Sequence, residues 1–283
     1  LKERGFLFCR ICYIIKILNM LNKKVRMEIT SVSNTKIKEI RALKTKKARD
    51  EQQRFLVEGH KCVEEGITFL PQNLLALLIV KESWVQHAAL AQKAEALGAE
   101  VFPVSRSVME AIADAQTPQG VAAVFALPHN AVIKDARFLV ALHDVQDPAN
   151  VGAIIRTADA AGADGALLSE GCADVYSPKA LRASMGSAFH IGVLRGDLLE
   201  NMRRLQAEGF KILAAHLEGT EQYAFAPADK ICLVIGNEAN GISQEVLELC
   251  TQRIRIPIYG KAESLNAAVA AGILLYGIAN YRR

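Results

Sequence analysis

No two of the nineteen glycines in this 283-residue chain are separated by a single residue, so a G-x-G-x-x-G dinucleotide loop is excluded. G-x-x-x-x-G-K-[ST] does not occur, and a P-loop goes with it. H-E-x-x-H, G-x-S-x-G and the protein-kinase signatures are missing, which removes the activities they carry. Long apolar runs are missing too. Arg10 and Lys16 interrupt the opening hydrophobic stretch, whereas a membrane span needs about 18 or more apolar residues in a row. Cysteine is sparse and scattered. Cys9 and Cys12 form a lone C-x-x-C without a second pair or suitably spaced histidines, so no metal is expected. Cys232 sits in an apolar run as a small hydrophobe, and the usage as a whole fits reduced cytoplasm.

What is present is ordinary in bulk and lopsided in detail. A chain that is 51% hydrophobic and 23% charged is a globular protein, long enough here for two domains. Residues 1–50 hold fourteen Lys and Arg against four Asp and Glu; with a net charge of +4 overall, the rest of the chain carries −6. A basic segment on a mildly acidic body points to a polyanion, most often nucleic acid, with a solvated helix face or a disordered tail as the plainer alternatives. Residues 1–26 begin with Leu and lack a small-residue cleavage site. They are read as a non-native or disordered leader, with the functional chain starting near Met20 or Met27.

In "SNTKIKEIRALKTKKARDE", Ser33 or Asn34 offers an N-cap, and Ile37, Ile40 and Leu43 recur at helical spacing. Lys36, Lys38, Arg41, Lys44, Lys46 and Lys47 cover the other faces, which makes a basic amphipathic helix. Strands are expected at "RFLVEG", "LLALLIV" and "GVAAVFALP", and a helix over "WVQHAALAQKAEALG" ending at Gly98. Pro128 closes this unit, so domains are placed at 27–128 and 137–283, with a linker at 129–136. Beyond it, "FLVALHDV", "GALLSE", "FHIGVLRG", "KILAAH", "ICLVIG" and "RIRIPI" are apolar runs of strand length. Helical and loop stretches separate most of them, which predicts a largely parallel, doubly covered α/β sheet. An Ala-rich helix ends the chain, with Ser264 as its expected N-cap.

Three clusters carry chemistry. In "HDVQDPANVGAIIRTADAAG", Asp147-Pro148 starts a helix, and Gly152 and Arg156 stand four apart on one face. A helix-interior glycine costs about 1 kcal/mol against Ala, so it should serve something. Either it clears space beneath Arg156 for an oxyanion or phosphate, or it marks a close helix contact. In "IGNEANGIS", Gly236 ends a buried strand, Glu238 follows, and Asn240-Gly241 supplies a turn. A phosphate loop, a cofactor loop and a simple hairpin all fit. In "IPIYGKAESLNAA" a strand ends at Pro257, and Ser264 and Asn266 open the last helix; Ser264 reads more naturally as a cap than as a nucleophile.

Together, N-x-G-x-x-x-R-T at 150–157, I-G-N-E-x-x-G-I at 235–242, and I-P-I followed by E-S-L-N at 256–266 closely resemble the three motifs of the SpoU (TrmH) RNA 2′-O-ribose methyltransferases, in order and spacing. "LRASMGSAFH" is similar to the family's middle segment. The likeness covers about residues 136–283, and residues 34–126 resemble, less closely, the family's N-terminal RNA-binding domain. The resemblance implies a SPOUT α/β domain with a trefoil knot, preceded by a small α/β RNA-binding domain, and a homodimer. It implies S-adenosylmethionine held mainly by the backbone at Gly236, Ile256 and Leu265. It places Asn150, Arg156, Glu238, Ser264 and Asn266 at the reaction site, with Gly236 admitting the cofactor and Glu238 bracing Arg156. The basic helix with Lys36, Lys38, Arg41, Lys44, Lys46 and Lys47 would hold RNA phosphates. The implied substrate is 23S ribosomal RNA, with tRNA, or a non-catalytic ribosome-assembly role, as alternatives. Ala267-Ala268 stand where many relatives carry Val-Ser.

In such a reaction the methyl is already activated, and the hard part is bringing a weakly acidic alcohol in line with it. Positioning supplies roughly 7–11 kcal/mol, whereas a general base contributes about 10²- to 10⁴-fold, or ~3–5 kcal/mol. A guanidinium hardly deprotonates, so Arg156 is expected to stabilise charge rather than accept a proton.

Overall fold

The computed structural model describes residues 27–128, 133, 135–221 and 228–282. The expected leader at 1–26 and most of the expected linker lie outside the described residues.

Among the described residues, short helices α1 (Thr35–Ala42) and α2 (Lys46–Gln52) come first. They replace the single basic helix expected here, because Thr45 interrupts the run and caps α2 by accepting from the Ala48 amide, as Asn34 caps α1. A four-stranded sheet follows, built from β1 (Arg54–Glu58), β2 (Leu74–Val80), β3 (Glu100–Val104) and β4 (Val121–Ala126) in the order β1-β4-β2-β3. The apolar run of β2 is buried from Leu77 to Val80, as a strand covered on both faces should be. β3 was not among the strands expected from sequence, and it contains Pro103. The proline is tolerated because β3 is an edge strand. Helices α3 (His60–Phe69), α4 (Ala88–Ala96) and α5 (Arg106–Ile112) cover this sheet.

The second sheet contains β5 (Phe138–Leu142), β6 (Gly165–Leu168), β7 (Gly192–Arg195), β8 (Lys211–Glu221), β9 (Ile231–Ile235) and β10 (Gln252–Arg255). Its order is β10-β8-β9-β5-β6-β7, and every pairing is parallel. From β5 the chain runs outward through β6 and β7, then crosses to the other side for β8 to β10. The order therefore reverses between β5 and β9, and crevices for ligands open at the carboxyl ends of strands at such a point. Helices α6 (Pro148–Ala160), α7 (Pro178–Ser184), α8 (Leu198–Ala207), α9 (Gln244–Glu248) and α10 (Ala267–Arg282) complete the layers. The C-terminal α10 returns past β8 and β9 to dock on α6. That return is where the resemblance puts the knot.

The two sheets share an apolar cluster. Phe55 stacks on Phe125 at 5.6 Å, and lies 4.6 Å from Tyr176 and 6.1 Å from Phe189 of the second half. Beside it, buried Arg49 donates to the Asp174 carboxylate at 2.7 Å and to the carbonyls of Leu43 and Lys44.

Candidate functional site

The site is organised by one helix start. Asp147 caps α6 by accepting from the Ala149 amide, with Pro148 at the first helical position. The carboxylate of Glu238, from the loop after β9, lies over this N-terminus. It accepts from the amides of Gln146 and Asp147, both at 3.2 Å, and from the Asn150 amide nitrogen at 2.8 Å. A carboxylate at the positive end of a helix is favoured by the dipole and by the free N–H groups there. Desolvation raises the Glu238 carboxyl, but hydrogen bonds from Asn150, its own backbone and the Gln146 and Asp147 amides outweigh this. The net result lies below the usual glutamate value. Asp147 is lowered as well, first by the Lys179 ammonium at 2.7 Å and then by the Ala149 amide.

Asn150 is only 8% exposed and passes the contact on: its oxygen accepts from the Asn266 side chain at 3.1 Å. Asn266 in turn accepts from the amides of Ala268 and Val269 and so caps α10. The chain Glu238–Asn150–Asn266 thus ties together three segments far apart in sequence. The expected cap at Ser264 gives way to Asn266, because α10 begins at Ala267 and Ser264 lies three residues earlier, exposed.

One expected role changes, and one open choice is settled. Glu238 does not brace Arg156; its oxygens are taken by the α6 N-terminus and Asn150. Six residues separate Asn150 from Arg156, which is about 9 Å along the helix and roughly 120° around it. Arg156 is exposed, away from the three-residue chain. Gly152 does not clear room for it either. A Cβ there would collide with the Ala180 carbonyl and lie 2.7 Å from the Ala183 Cβ, so the glycine serves the close crossing of α6 and α7.

Gly236 also has a local reason to be glycine. A Cβ would strike the Gly241 backbone, 2.6 Å from its carbonyl oxygen, because Asn237 and Gly241 exchange backbone hydrogen bonds in a tight turn. The hairpin alternative for this loop is therefore correct in part. Asn237, not singled out from sequence, holds the turn: its oxygen accepts from the Ala239 and Asn240 amides, and its nitrogen donates to the Asp144 carbonyl. An Asn three residues ahead of an Asn-Gly pair was the available signal.

Ile256, Ser264 and Leu265 come together around a cleft of about 120 Å³. β10 pairs with Ala214 through Arg253 and with Thr220 through Ile254, so residues 215–219 of β8 bow outward. Ala215, His216 and Leu217 of this bulge form the facing wall. Gly236 follows the last residue of β9, beside the same bulge, but does not line the cleft. Among the described residues, 257–265 make no backbone–backbone hydrogen bond. The cleft thus offers apolar walls and free backbone donors and acceptors, which suits a ligand with a flat apolar part and polar ends.

The expected RNA-binding cations divide. Lys38 and Arg41 are exposed. Lys36 pairs with Glu100 at 2.7 Å, Lys46 with Asp50 at 2.5 Å, and Lys47 with Glu51 at 3.8 Å, all on the surface. Lys44 is spent on structure, donating to the Ala111 and Ala113 carbonyls at the end of α5. Among the described residues no cluster of His, Cys, Asp and Glu could hold a metal ion, and no helix is long and apolar enough to cross a membrane.

Residues 137–276 match the SpoU rRNA Methylase family, and residues 34–123 match the MRM3-like substrate binding domain. The chain is 38% identical over 250 residues to the 23S rRNA (guanosine(2553)-2′-O)-methyltransferase RlmP of Bacillus subtilis, covering 88% of this chain and 98% of that protein. It is 39% identical over 139 residues to the 23S rRNA (uridine(2479)-2′-O)-methyltransferase of Streptomyces viridochromogenes, covering 46% and 47% of the two chains. Among solved structures, the AdoMet-bound rRNA methyltransferase of Sinorhizobium meliloti superposes with a TM-score of 0.82 at 34% identity, over 90% of this chain and 98% of that one.

Proposed function

The chain belongs to the SpoU rRNA methylase family, and on that premise we propose that it methylates a ribose 2′-hydroxyl of 23S ribosomal RNA with S-adenosylmethionine as donor. The observation that carries this reading is the chain Glu238–Asn150–Asn266, which brings all three motifs to one place at the carboxyl ends of β5 and β9. The cofactor fits the cleft beside it. An adenine face suits the apolar walls, and the free backbone of 257–265 suits the polar ends, with Ile256 and Leu265 as contacts and Gly236 at the margin. When bound, S-adenosylmethionine supplies the activated methyl group. The protein's own part is positioning: Glu238, Asn150 and Asn266 fix the loops between which the ribose enters, and Ser264 stands exposed at the cleft rim. Arg156 stabilises the developing alkoxide and the adjoining phosphate. Lys36, Lys38, Arg41, Lys46 and Lys47 supply sequence-independent attraction for RNA, while Lys44 braces the fold. The division of labour follows the two expected domains, substrate binding in 27–128 and catalysis in 137–283.

Arg156 must then reach a site that its own helix face turns away from. A homodimer resolves this. Val269, Ile273 and Tyr276 form an exposed apolar stripe on α10, at 51%, 37% and 47% exposure, and α10 packs beside α6. A two-fold contact through this stripe brings Arg156 toward the partner's loops. Free Cys62, Cys172, Cys232 and Cys250 suit the cytoplasm, where ribosomal RNA is found. The decisive experiment mixes inactive Arg156→Ala and Glu238→Ala protomers and follows labelled methyl transfer to 23S rRNA from cells lacking the gene. Each variant alone is inactive but still binds S-adenosylmethionine by calorimetry, and the mixture recovers about a quarter of wild-type activity, since half the dimers hold one intact site. A mixture as inactive as its parts overturns the shared site, and a wild type that labels tRNA instead overturns the substrate.

A further inference from the structure

A second cavity, of about 220 Å³, lies between the two halves of the molecule. Its walls come from the end of β1, the start of α3, the segment 113–121 and the end of α7. The inner surface is mostly apolar, with Cys62, Met109 and Val121, and the exposed Met185 stands at the mouth. The rim is polar and carries Lys61, Gln119 and Arg182. The size falls short of the ~300–1,000 Å³ typical of sites for drug-sized ligands. It suits one flat ring system rather than a whole nucleotide cofactor.

The cavity is held in shape. Gln119 accepts the His60 amide through Oε1 at 3.0 Å, which fixes its orientation and leaves Nε2 as a donor. Gly59 and Gly120 flank it at φ +85° and +78°; a Cβ on Gly59 would lie 3.2 Å from Gln119 Oε1, and one on Gly120 would lie 2.6 Å from Ser83 Oγ. Glu58 accepts from the amides of Asp114 and Ala115 and fastens the opposite loop. Arg182 donates to Asp114 at 2.6 Å through Nη2, while its Nη1 is buried with no hydrogen-bond partner among the described residues. An unpaired buried guanidinium N–H is a donor in want of an acceptor.

The cavity also stands in register with the site. On α7, Lys179 reaches Asp147 at the start of α6, and Arg182, three residues on, rims the cavity. Residues three apart in a helix share a face, so a strand lying along α7 passes both. Specific RNA recognition splays single-stranded bases into apolar pockets and reads their edges by hydrogen bonds.

We propose that this interdomain cavity takes one nucleobase of the RNA substrate, close to the nucleotide that is methylated. The base lies against Met109 and Met185, Gln119 Nε2 donates to an acceptor on its edge, and Arg182 and Lys61 hold the neighbouring phosphates. The proposal rests on the RNA substrate assigned above and adds a site of base selection to it.

The test uses the full chain and 23S rRNA from cells lacking the gene. Ala115→Phe fills the cavity and Gln119→Leu removes the edge donor, neither touching the reaction site; thermal unfolding checks that each is folded. The expected result is a KM for RNA raised at least tenfold in both, with kcat and S-adenosylmethionine affinity unchanged. Ultraviolet crosslinking of the wild type, read by mass spectrometry, should join a base to the peptides around 109–121 or 182–185. Unchanged KM in both folded variants, or crosslinks elsewhere only, overturns the cavity even if methyl transfer is intact. Crosslinks in the cavity without methyl transfer leave the base site standing and overturn the catalytic reading instead.

Discussion

Glu238 gathers two backbone amides and the Asn150 side chain onto one carboxylate. Its charge therefore belongs to the fold as well as to the site. Because the folded-state value is lowered, the carboxylate stabilises the protein above its unfolded value of about 4.3. That contribution disappears as pH falls from there through the folded value. Glu238→Gln is expected to flatten the acid limb of stability measured by urea unfolding between about pH 3 and 7. The same variant should lower methyl transfer on the order of 10²-fold, as for loss of one preorganising group. An acid limb identical to wild type would show that charge at Glu238 is irrelevant to the anchor. The sequence marked Glu238, Asn150 and Asn266 as a set, but not who touches whom. A carboxylate and a guanidinium attract on paper, so Arg156 looked like the natural partner. The nearer amides of the helix start, which Asp147-Pro148 marked but nothing in the sequence paired with Glu238, took the carboxylate instead.

Glycines at helix crossings pose the same difficulty one level up. Gly152 was visible as an anomaly in α6, and the sequence offered two reasons for it. The structure chooses the crossing, since the Ala180 carbonyl occupies the place of a side chain. A backbone atom cannot swing aside as a flexible side chain can. Gly152→Ala should therefore cost roughly 1–3 kcal/mol of stability, read as a lower urea midpoint with unchanged slope. RNA affinity of the folded protein stays as it was; a stable variant with weakened RNA binding would restore the phosphate role. Most strands of the second sheet were readable because a parallel strand covered on both faces is a plain apolar run. In the first sheet β3 was not expected; its Pro103 is accommodated at a sheet edge, and edges are known only once the sheet order is known. The split between α1 and α2 turned on Thr45, a cap whose side chain competes with the helix it interrupts.

The join between the two halves left the faintest trace in the sequence. Arg49 belongs to the same basic run as Lys36 to Lys47, and charge alone cannot tell it from them. It is 3% exposed and paired with Asp174, 125 residues away, beside the aromatic contact of Phe55 with Tyr176 and Phe189. Both features depend on how the sheets are set against each other, which local pattern does not encode. On the function proposed above the arrangement matters as well, because the cavity between the halves and the Glu238–Asn150–Asn266 chain keep their spacing only while the halves stay fixed. Removing one partner strands a buried charge, at a cost of about 3–5 kcal/mol. Asp174→Ala should thus lower the calorimetric midpoint by roughly 6–20 °C in a chain of this size. It should also split a single transition into two, as each half unfolds on its own. The double variant Arg49→Met, Asp174→Ala removes the stranded charge and should recover part of the loss. A midpoint within 2 °C of wild type for Asp174→Ala, about 1 kcal/mol or less, would mean that the other contacts between the halves, the aromatic cluster and Arg182–Asp114 among them, hold the halves together and that the Arg49–Asp174 pair is incidental.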